Sequence, residues 1–505
     1  MRTIRTIILP LLACLLRITL GFTPATFKKS YNHEFLKSYR LYSNAAANNE
    51  GDSLFTIQIL MSDTGGGHRA SANALRDAFD TIEPGKIKCD IVDIYTEYGP
   101  FFPLNSYPAM YKIMAEYSFL WKGFYEFGST PFGLWLNDFL LETFCFDAFK
   151  KCIERDAFNL SRRADMVVSV HPLTQELPLK ILSYLDTNGE SREYGRTTPF
   201  VTVVTDLGGA HPTWFNPGVD KCFVPSDALY QCARDREVQP EQIVQHGLPI
   251  RKGFWGGSSL STTERASTPI MTAGSSFPNF FSRLFGGDTD VQATSDDNFS
   301  SGDDKVSKDK ESLRTQLGLQ TDYRTVLVVG GGDGMGGIVE TARQLGDKLG
   351  IESSKVNQEF QMVVVCGNNK QAQTTLSGVK WNDGVNVCVK GFVDNMDEWM
   401  RASDVIVTKA GPGTIAEASI CGLPCMLSSY LPGQEEGNVP YVKDNGFGSY
   451  SGNPQVIAET VCSWLESDDM MESMKAAALE ASRPSATLDI ARDIANVLFE
   501  SKRRI

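Results

Sequence analysis

At 505 residues and 55.7 kDa the chain is longer than one hydrophobic core usually organises, which excludes a mini-protein and predicts two domains with additional segments. With 42% hydrophobic and 22% charged residues it has globular composition, which argues against wholesale disorder and against a multi-span membrane protein. Lys+Arg 48 against Asp+Glu 61 leaves a net charge of -13, so bulk positive charge for nucleic-acid binding is absent and any membrane contact must be local. The eleven cysteines form no CxxC pair and no zinc-ribbon spacing, and read as reduced, mostly buried thiols.

Arg2 and Arg5 precede an apolar run from Ile7 to Leu16, then Arg17 and a short stretch to Gly21, the grammar of a signal peptide. That run is too short for a helix to cross a bilayer. Residues 22–47 carry Ser, Asn and Ala with Lys28, Lys29, Lys37 and Arg40 against one acid, Glu34, as transit peptides do. Residues 1–47 together resemble the bipartite address of algae with secondary plastids, and Gly21-Phe22-Thr23-Pro24 resembles its phenylalanine-centred cleavage motif, with Gly in place of the usual Ala. The alternative is a secretory signal followed by a disordered spacer. Reduced thiols favour the plastid.

From residue 54, short apolar runs at 54–61, 167–170, 200–205, 326–329, 362–366, 385–389 and 405–408 alternate with helical stretches. That alternation predicts an α/β chain with parallel sheets covered by helices on both faces. Between 256 and 310 Ser, Thr, Gly, Asp and Asn dominate without a helical or strand period, which predicts a disordered insertion. The domains are therefore placed at 51–255 and 311–480, and by analogy the tail at 481–505 packs back on the first.

The first strand runs into Ser62-Asp63-Thr64-Gly65-Gly66-Gly67-His68, followed by a helical pattern. The glycines let backbone N–H groups approach a ligand where open α/β sheets bind one, and His68 supplies an imidazole able to take a proton from a hydroxyl. A merely helix-capping or structural His68 would give the same local pattern. Residues 98–139 hold fourteen aromatics with Pro103, Lys112 and Lys122 interleaved, a mixture suited either to the lipid head-group interface or to filling a core. Asp206-Leu207-Gly208-Gly209-Ala210-His211-Pro212-Thr213-Trp214 follows another strand, so Asp206 and His211 could orient an acceptor or share base duty while Trp214 offers a lipid-facing surface. His171 and His246 read as structural.

In the second half Gly330-Gly331-Gly332-Asp333-Gly334-Met335-Gly336-Gly337 links a strand to a helix, an arrangement that holds phosphates without being a Walker A motif. GxGxxG occurs within it, but the next strand runs into Gly367-Asn368-Asn369-Lys370 with no ribose carboxylate, which weakens a dinucleotide oxidoreductase. In Lys409-Ala410-Gly411-Pro412-Gly413-Thr414-Ile415-Ala416-Glu417, Gly411 and Gly413 bring backbone close, a helix N-terminus aims at a diphosphate, and Glu417 can accept ribose hydroxyls. Gln434, Glu435 and Asn438 add alternating donors and acceptors that match a hexose, so the stretch describes a nucleotide-sugar site.

Over about 57–454, excluding the insertion, these motifs resemble monogalactosyldiacylglycerol synthases, and in the second half the related peptidoglycan N-acetylglucosaminyltransferases. The resemblance implies a GT-B-type fold of two Rossmann-like domains facing a cleft, with UDP-galactose on the second and diacylglycerol on the first. It places Phe392 and Val393 beside uracil, Glu417 on ribose, Gly332, Gly411, Gly413 and Thr414 by the diphosphate, and Gln434, Glu435 and Asn438 on galactose. His68 falls on the catalytic histidine, with Asp206 the weaker base, and Gly66, Gly67, Pro103, His211 and Trp214 fall on the acceptor and lipid side. It implies inversion to a β-galactolipid at a plastid envelope membrane without a metal or other cofactor, with anionic lipids and a homodimer as further partners and no nucleic acid. Leu207-Gly208-Gly209-Ala210 and Glu436 depart from the plant pattern, which leaves lipid preference and regulation open. A diacylglycerol glucosyltransferase, a sugar epimerase and a catalytically silent lipid-binding scaffold are the competing readings.

Overall fold

The structure is a computed structural model that describes residues 54–64, 66–102, 104–189, 195–255, 302–330, 337–356 and 358–503. The expected presequence at 1–47 lies outside the described residues, as do positions 256–301.

Apolar strands buried on both faces can pair only inside a helix-covered parallel sheet, and two such sheets form. The first takes β1 (Phe55–Met61), β2 (Ile87–Asp93), β3 (Met166–Ser169), β4 (Phe200–Val203), β5 (Lys221–Val224) and β6 (Ile243–Gln245) in the order β2-β1-β3-β4-β5-β6. The second takes β7 (Arg324–Val329), β8 (Phe360–Val365), β9 (Val385–Lys390), β10 (Val405–Lys409), β11 (Cys425–Ser429) and β12 (Gly448–Tyr450) in the order β12-β11-β10-β7-β8-β9. Every pairing is parallel. The chain order reverses between β1 and β3 in one sheet and between β7 and β10 in the other, and ligand crevices open at the carboxyl ends of such strands.

The helices that matter for the site are α1 (Gly67–Ile82), α2 (Tyr107–Glu116), α3 (Ser118–Ser129), α4 (Pro131–Ile153), α5 (Gly302–Leu317), α6 (Pro412–Ile420), α7 (Asn438–Asp444) and α8 (Ala486–Arg503). The expected disordered stretch 256–310 ends early, because residues 302–310 are the first turns of α5. That helix is anchored beyond them: Leu313 and Leu317 pack on the core, and Arg314 binds the Ala402 carbonyl at 2.9 Å and the Asp404 carboxylate at 2.8 Å.

The sheets are joined by more than a linker. One apolar cluster runs from Ile57 and Val168 through Leu248 and Ile250 to Ile406 and Leu427. α8 returns to the first sheet's side, where Phe499 meets Phe55 at 5.2 Å, Lys502 pairs with Asp165 at 2.9 Å and Asp493 meets His246 at 2.8 Å. Thr487 is wholly buried, accepting from the Ile250 N–H at 2.9 Å and donating to its carbonyl at 3.1 Å. Each described cysteine is a free thiol.

The aromatic segment folds largely as α2, α3 and α4; Tyr111 and Trp121 are buried, but most of its aromatics stay outside the core. Ile113, Tyr117, Phe119, Leu120, Phe124, Phe127, Phe132, Trp135 and Phe139 are all about half exposed or more, with Phe119 at 74%. Trp135 and Phe139 stack on one another at 5.7 Å. A contiguous apolar surface of this kind marks an interaction site rather than ordinary solvent exposure. No helix among the described residues is long and apolar enough to cross a membrane.

Candidate active site

His68 sits in the first turn of α1, at the carboxyl end of β1. Gly66 caps that helix with φ 49°, the left-handed region that glycine reaches without a Cβ penalty, and no side chain caps the N-terminus. The His68 Nδ1 lies 2.8 Å from the Val170 carbonyl at the end of β3 and 3.0 Å from the Thr205 hydroxyl. A carbonyl can only accept, so Nδ1 carries the proton and Nε2 keeps its lone pair. Burial pulls the imidazole pKa down to about 4, against smaller opposing effects of the Val170 carbonyl and the Asp63 charge. His68 is thus a neutral base with one fixed tautomer at physiological pH.

His171 supports it through a ring contact at 4.6 Å. Its Nδ1 accepts from the Leu173 N–H at 3.2 Å, so Nε2 donates to the Thr64 hydroxyl at 3.0 Å. Both nitrogens are committed, and burial followed by the neighbouring His68 holds the pKa well below its ordinary value.

Asp206 is buried, and its Oδ2 accepts from the Trp214 indole N–H at 2.6 Å. Desolvation pushes its pKa up to about 7 against the Trp214 bond, and the Glu435 carboxylate across the cleft adds to the rise. The expected lipid-facing role of Trp214 is corrected here: the side chain is 0% exposed, because the indole N–H is satisfied internally by Asp206 and its ring lies 6.1 Å from His68. His211 is half-buried and caps the turn Pro212–Trp214, its Nδ1 accepting from the Thr213 backbone. Its ring meets Tyr125 of α3 at 4.9 Å.

On the other wall, Gly411 caps α6, and Gly413 is exposed with nothing within 4 Å of where a Cβ would sit. A helix N-terminus left open in this way presents N–H groups to an anion. Thr414 follows, half-buried. Glu417 is buried, and both its oxygens accept from Arg251, at 2.8 Å and 2.7 Å. Each carboxylate oxygen has a second lone pair for a further donor. Burial raises the Glu417 pKa, opposed by Arg251. Phe392 is 63% exposed beyond β9, while Val393 is half-buried against the core.

The loop before α7 meets the first domain. Glu435 is buried, paired with Lys409 and accepting from the Leu431 N–H at 3.0 Å. Gln434 Oε1 accepts from the Tyr111 hydroxyl at 3.1 Å. Asn438 is corrected from a sugar-gripping residue to a tie between the domains. It is 1% exposed, its Oδ1 accepts from the Gly208 N–H at 2.7 Å, and its Nδ2 donates to the Ala410 carbonyl at 2.8 Å. Gly208 and Gly437 touch backbone to backbone, leaving no room for a side chain on either.

Trp214 links Asp206 to His68, the Glu435 charge acts on Asp206, and Glu435 Oε1 lies 3.9 Å from where a Cβ on Gly411, at the open end of α6, would sit. Gly332 and Pro103 lie outside the described residues. Sequence reasoning missed Arg251, Thr205, Tyr111 and Tyr125 as parts of the site, since their partners lie far away along the chain.

Two Rossmann-like parallel-sheet domains, one carrying a buried neutral imidazole and the other an open helix N-terminus, have the architecture of a GT-B-type glycosyltransferase. The Glycosyltransferase family 28 C-terminal domain model matches residues 325–483, and the Monogalactosyldiacylglycerol (MGDG) synthase model matches residues 68–250. The chain is 37% identical over 439 residues to "Probable monogalactosyldiacylglycerol synthase 2, chloroplastic" of Oryza sativa subsp. japonica, covering 87% of this chain and 80% of that protein. It is 34% identical over 502 residues to "Monogalactosyldiacylglycerol synthase 3, chloroplastic" of Arabidopsis thaliana, covering 96% and 94%. Among solved structures, Acinetobacter baumannii MurG aligns over 88% of this chain and 99% of that chain at 11% identity and a TM-score of 0.45, too distant to bear on function. The chain belongs to the monogalactosyldiacylglycerol synthase family, and its activity is galactosyl transfer in galactolipid synthesis in a plastid membrane setting.

The pH profile separates the two bases in this cleft. Protonation silences His68 only as pH falls toward 4, whereas Asp206 as the base would lose activity as soon as pH drops below 7. The expected kcat/KM is flat from about pH 6 to 8; a roughly tenfold fall per pH unit below 7 would assign the role to Asp206.

Proposed function

We propose that the chain transfers galactose from UDP-galactose to the free hydroxyl of diacylglycerol in one inverting displacement, without a metal. The observation that carries this reading is the His68 tautomer, fixed by Val170 with Nε2 left as acceptor. Nε2 takes the proton from the diacylglycerol hydroxyl as its oxygen bonds to the anomeric carbon. The bond from that carbon to the phosphate oxygen breaks, and UDP leaves with the electron pair. Inversion of an α-linked donor gives the β-galactolipid. The N–H groups at Gly413 and Thr414 stabilise the departing diphosphate in place of a metal, with Gly411 letting backbone approach it, while Gly332 joins the donor site on the family resemblance alone.

Phe392, an exposed aromatic with Val393 behind it, suits a stacked uracil. Glu417 takes the ribose hydroxyls on the lone pairs that Arg251 leaves open. Gln434 and Glu435 hold the hexose. Gly66, Gly67 and His211 line the acceptor side, and the exposed face of α2 to α4 seats the enzyme on the plastid envelope as a peripheral protein. Import through a signal plus transit presequence rests on residues 1–47, and anionic lipids and a homodimer rest on the family resemblance alone.

Donor competition tests the reading. With diacylglycerol vesicles, UDP-galactose is expected to outcompete UDP-glucose in forming product. Preference for UDP-glucose would keep the fold and remove galactose from Gln434 and Glu435, and formation of an epimerised sugar product without any lipid would point to an epimerase.

A further inference from the structure

The aromatic helices have two faces. The outer one exposes Ile113, Phe119 and Phe124. The inner one lies on the loop that carries Gln434. Tyr111 and Trp121, each 6% exposed, meet edge to face at 4.9 Å and pack on Leu431. Gly433 has φ +79°, and the Tyr125 ring fills the space where its Cβ would sit, 2.5 Å away. Tyr111 then donates its hydroxyl hydrogen to Gln434 Oε1 at 3.1 Å.

Leu431, Gly433 and Gln434 are thus each touched by a residue of α2 or α3. A loop with a left-handed glycine has many backbone conformations open to it, and these contacts select one. The Tyr111 bond also orients the Gln434 amide: its oxygen is turned to the Tyr111 hydroxyl, and its NH₂ group can then donate to a sugar hydroxyl.

We propose that Tyr111 is a positioning residue that couples the membrane-facing helices to the sugar end of the donor site. Resting on the assignment of Gln434 to the hexose, it holds that amide in place when the outer face of α2 and α3 is seated on lipid. Coupling of this kind is reciprocal, so lipid contact tightens the hold on the sugar and the sugar tightens lipid contact.

The test uses the full chain, vesicles of phosphatidylcholine with phosphatidylglycerol, and two nucleotides that differ only by the hexose. In the parent protein, vesicles are expected to strengthen UDP-galactose binding on the order of three- to tenfold, the worth of one hydrogen bond, and to leave UDP binding unchanged. Tyr111→Phe keeps the ring packing and the vesicle partition but loses that gain, and the KM for UDP-galactose rises while kcat and the KM for diacylglycerol hold. Gly433→Ala, which collides with Tyr125, is expected to lose the gain from the loop side. A parent protein with no gain, or a Tyr111→Phe protein that keeps it, overturns the coupling. Gln434→Ala distinguishes the two levels: if it leaves the preference for UDP-galactose over UDP intact, the hexose assignment falls and the inference with it. If it abolishes that preference while Tyr111→Phe does not, the inference alone falls.

Discussion

His68→Ala lowers kcat for galactolipid formation by about 10²–10⁴-fold, the range supplied by a positioned proton acceptor, while UDP binding stays within about twofold of the parent. The size of the effect follows from the surroundings of the ring. The Val170 carbonyl and Thr205 hydroxyl fix Nδ1–H, burial keeps the imidazole neutral, and His171 has both nitrogens committed elsewhere. His171 therefore cannot replace the lost base. Asp206 is the weaker candidate, with one oxygen on Trp214 and a pKa raised to about 7. A His68→Ala enzyme with near-parental kcat would move the role to Asp206, and the pH profile would then fall below 7.

The triple variant Phe119→Asp, Trp135→Asp, Phe139→Asp is expected to lose vesicle binding by at least about 10²-fold and to lose turnover on vesicle-borne diacylglycerol in proportion. Each ring is more than half exposed, so seating it in lipid removes on the order of 100 Å² of apolar surface, worth about 2.5 kcal/mol at ~25 cal/mol/Å². Three carboxylates reverse that gain and add repulsion from anionic head groups. UDP binding, measured by calorimetry without vesicles, should not change. Sedimentation with vesicles at parental levels would show that this face does not carry the membrane contact.

How much of this was legible in the sequence depended on whether a residue's partner lay near it along the chain. Strands β1, β3, β4, β7, β8 and β10 stood out because burial on both faces makes apolar runs, and the partly buried edge strand β9 because Val385, Val387, Cys388 and Val389 still make one. β2 was missed because Lys88 and Asp90 break its run, and β5, β6, β11 and β12 because they are short or carry polar residues. The glycine loops at His68 and Gly411 were legible since a strand, a tight turn and a helix start are all local.

The rest was tertiary. Arg251 reaches Glu417, and Tyr111 reaches Gln434, across the cleft, and no spacing rule encodes either contact. Trp214 in a polar loop read as a surface residue because its acceptor, Asp206, lies within the same loop only once the loop folds back. Asn438 read as a sugar ligand from its place beside Gln434 and Glu435, but Gly208 of the other domain takes its oxygen. The aromatics of 98–139 could not be divided between core and surface by composition. Helix geometry divides them, sending Tyr111 and Trp121 inward and Phe119 and Phe124 outward.

The most direct measurement is the product formed from UDP-galactose and diacylglycerol vesicles in EDTA, with the anomeric configuration read by NMR. A β-linked monogalactosyl lipid released with stoichiometric UDP is the expected result if, as proposed, His68 acts as the base and the N-terminus of α6 stabilises the leaving group. An α-linked product, or turnover that appears only when a divalent ion is restored, would contradict the single displacement built on His68.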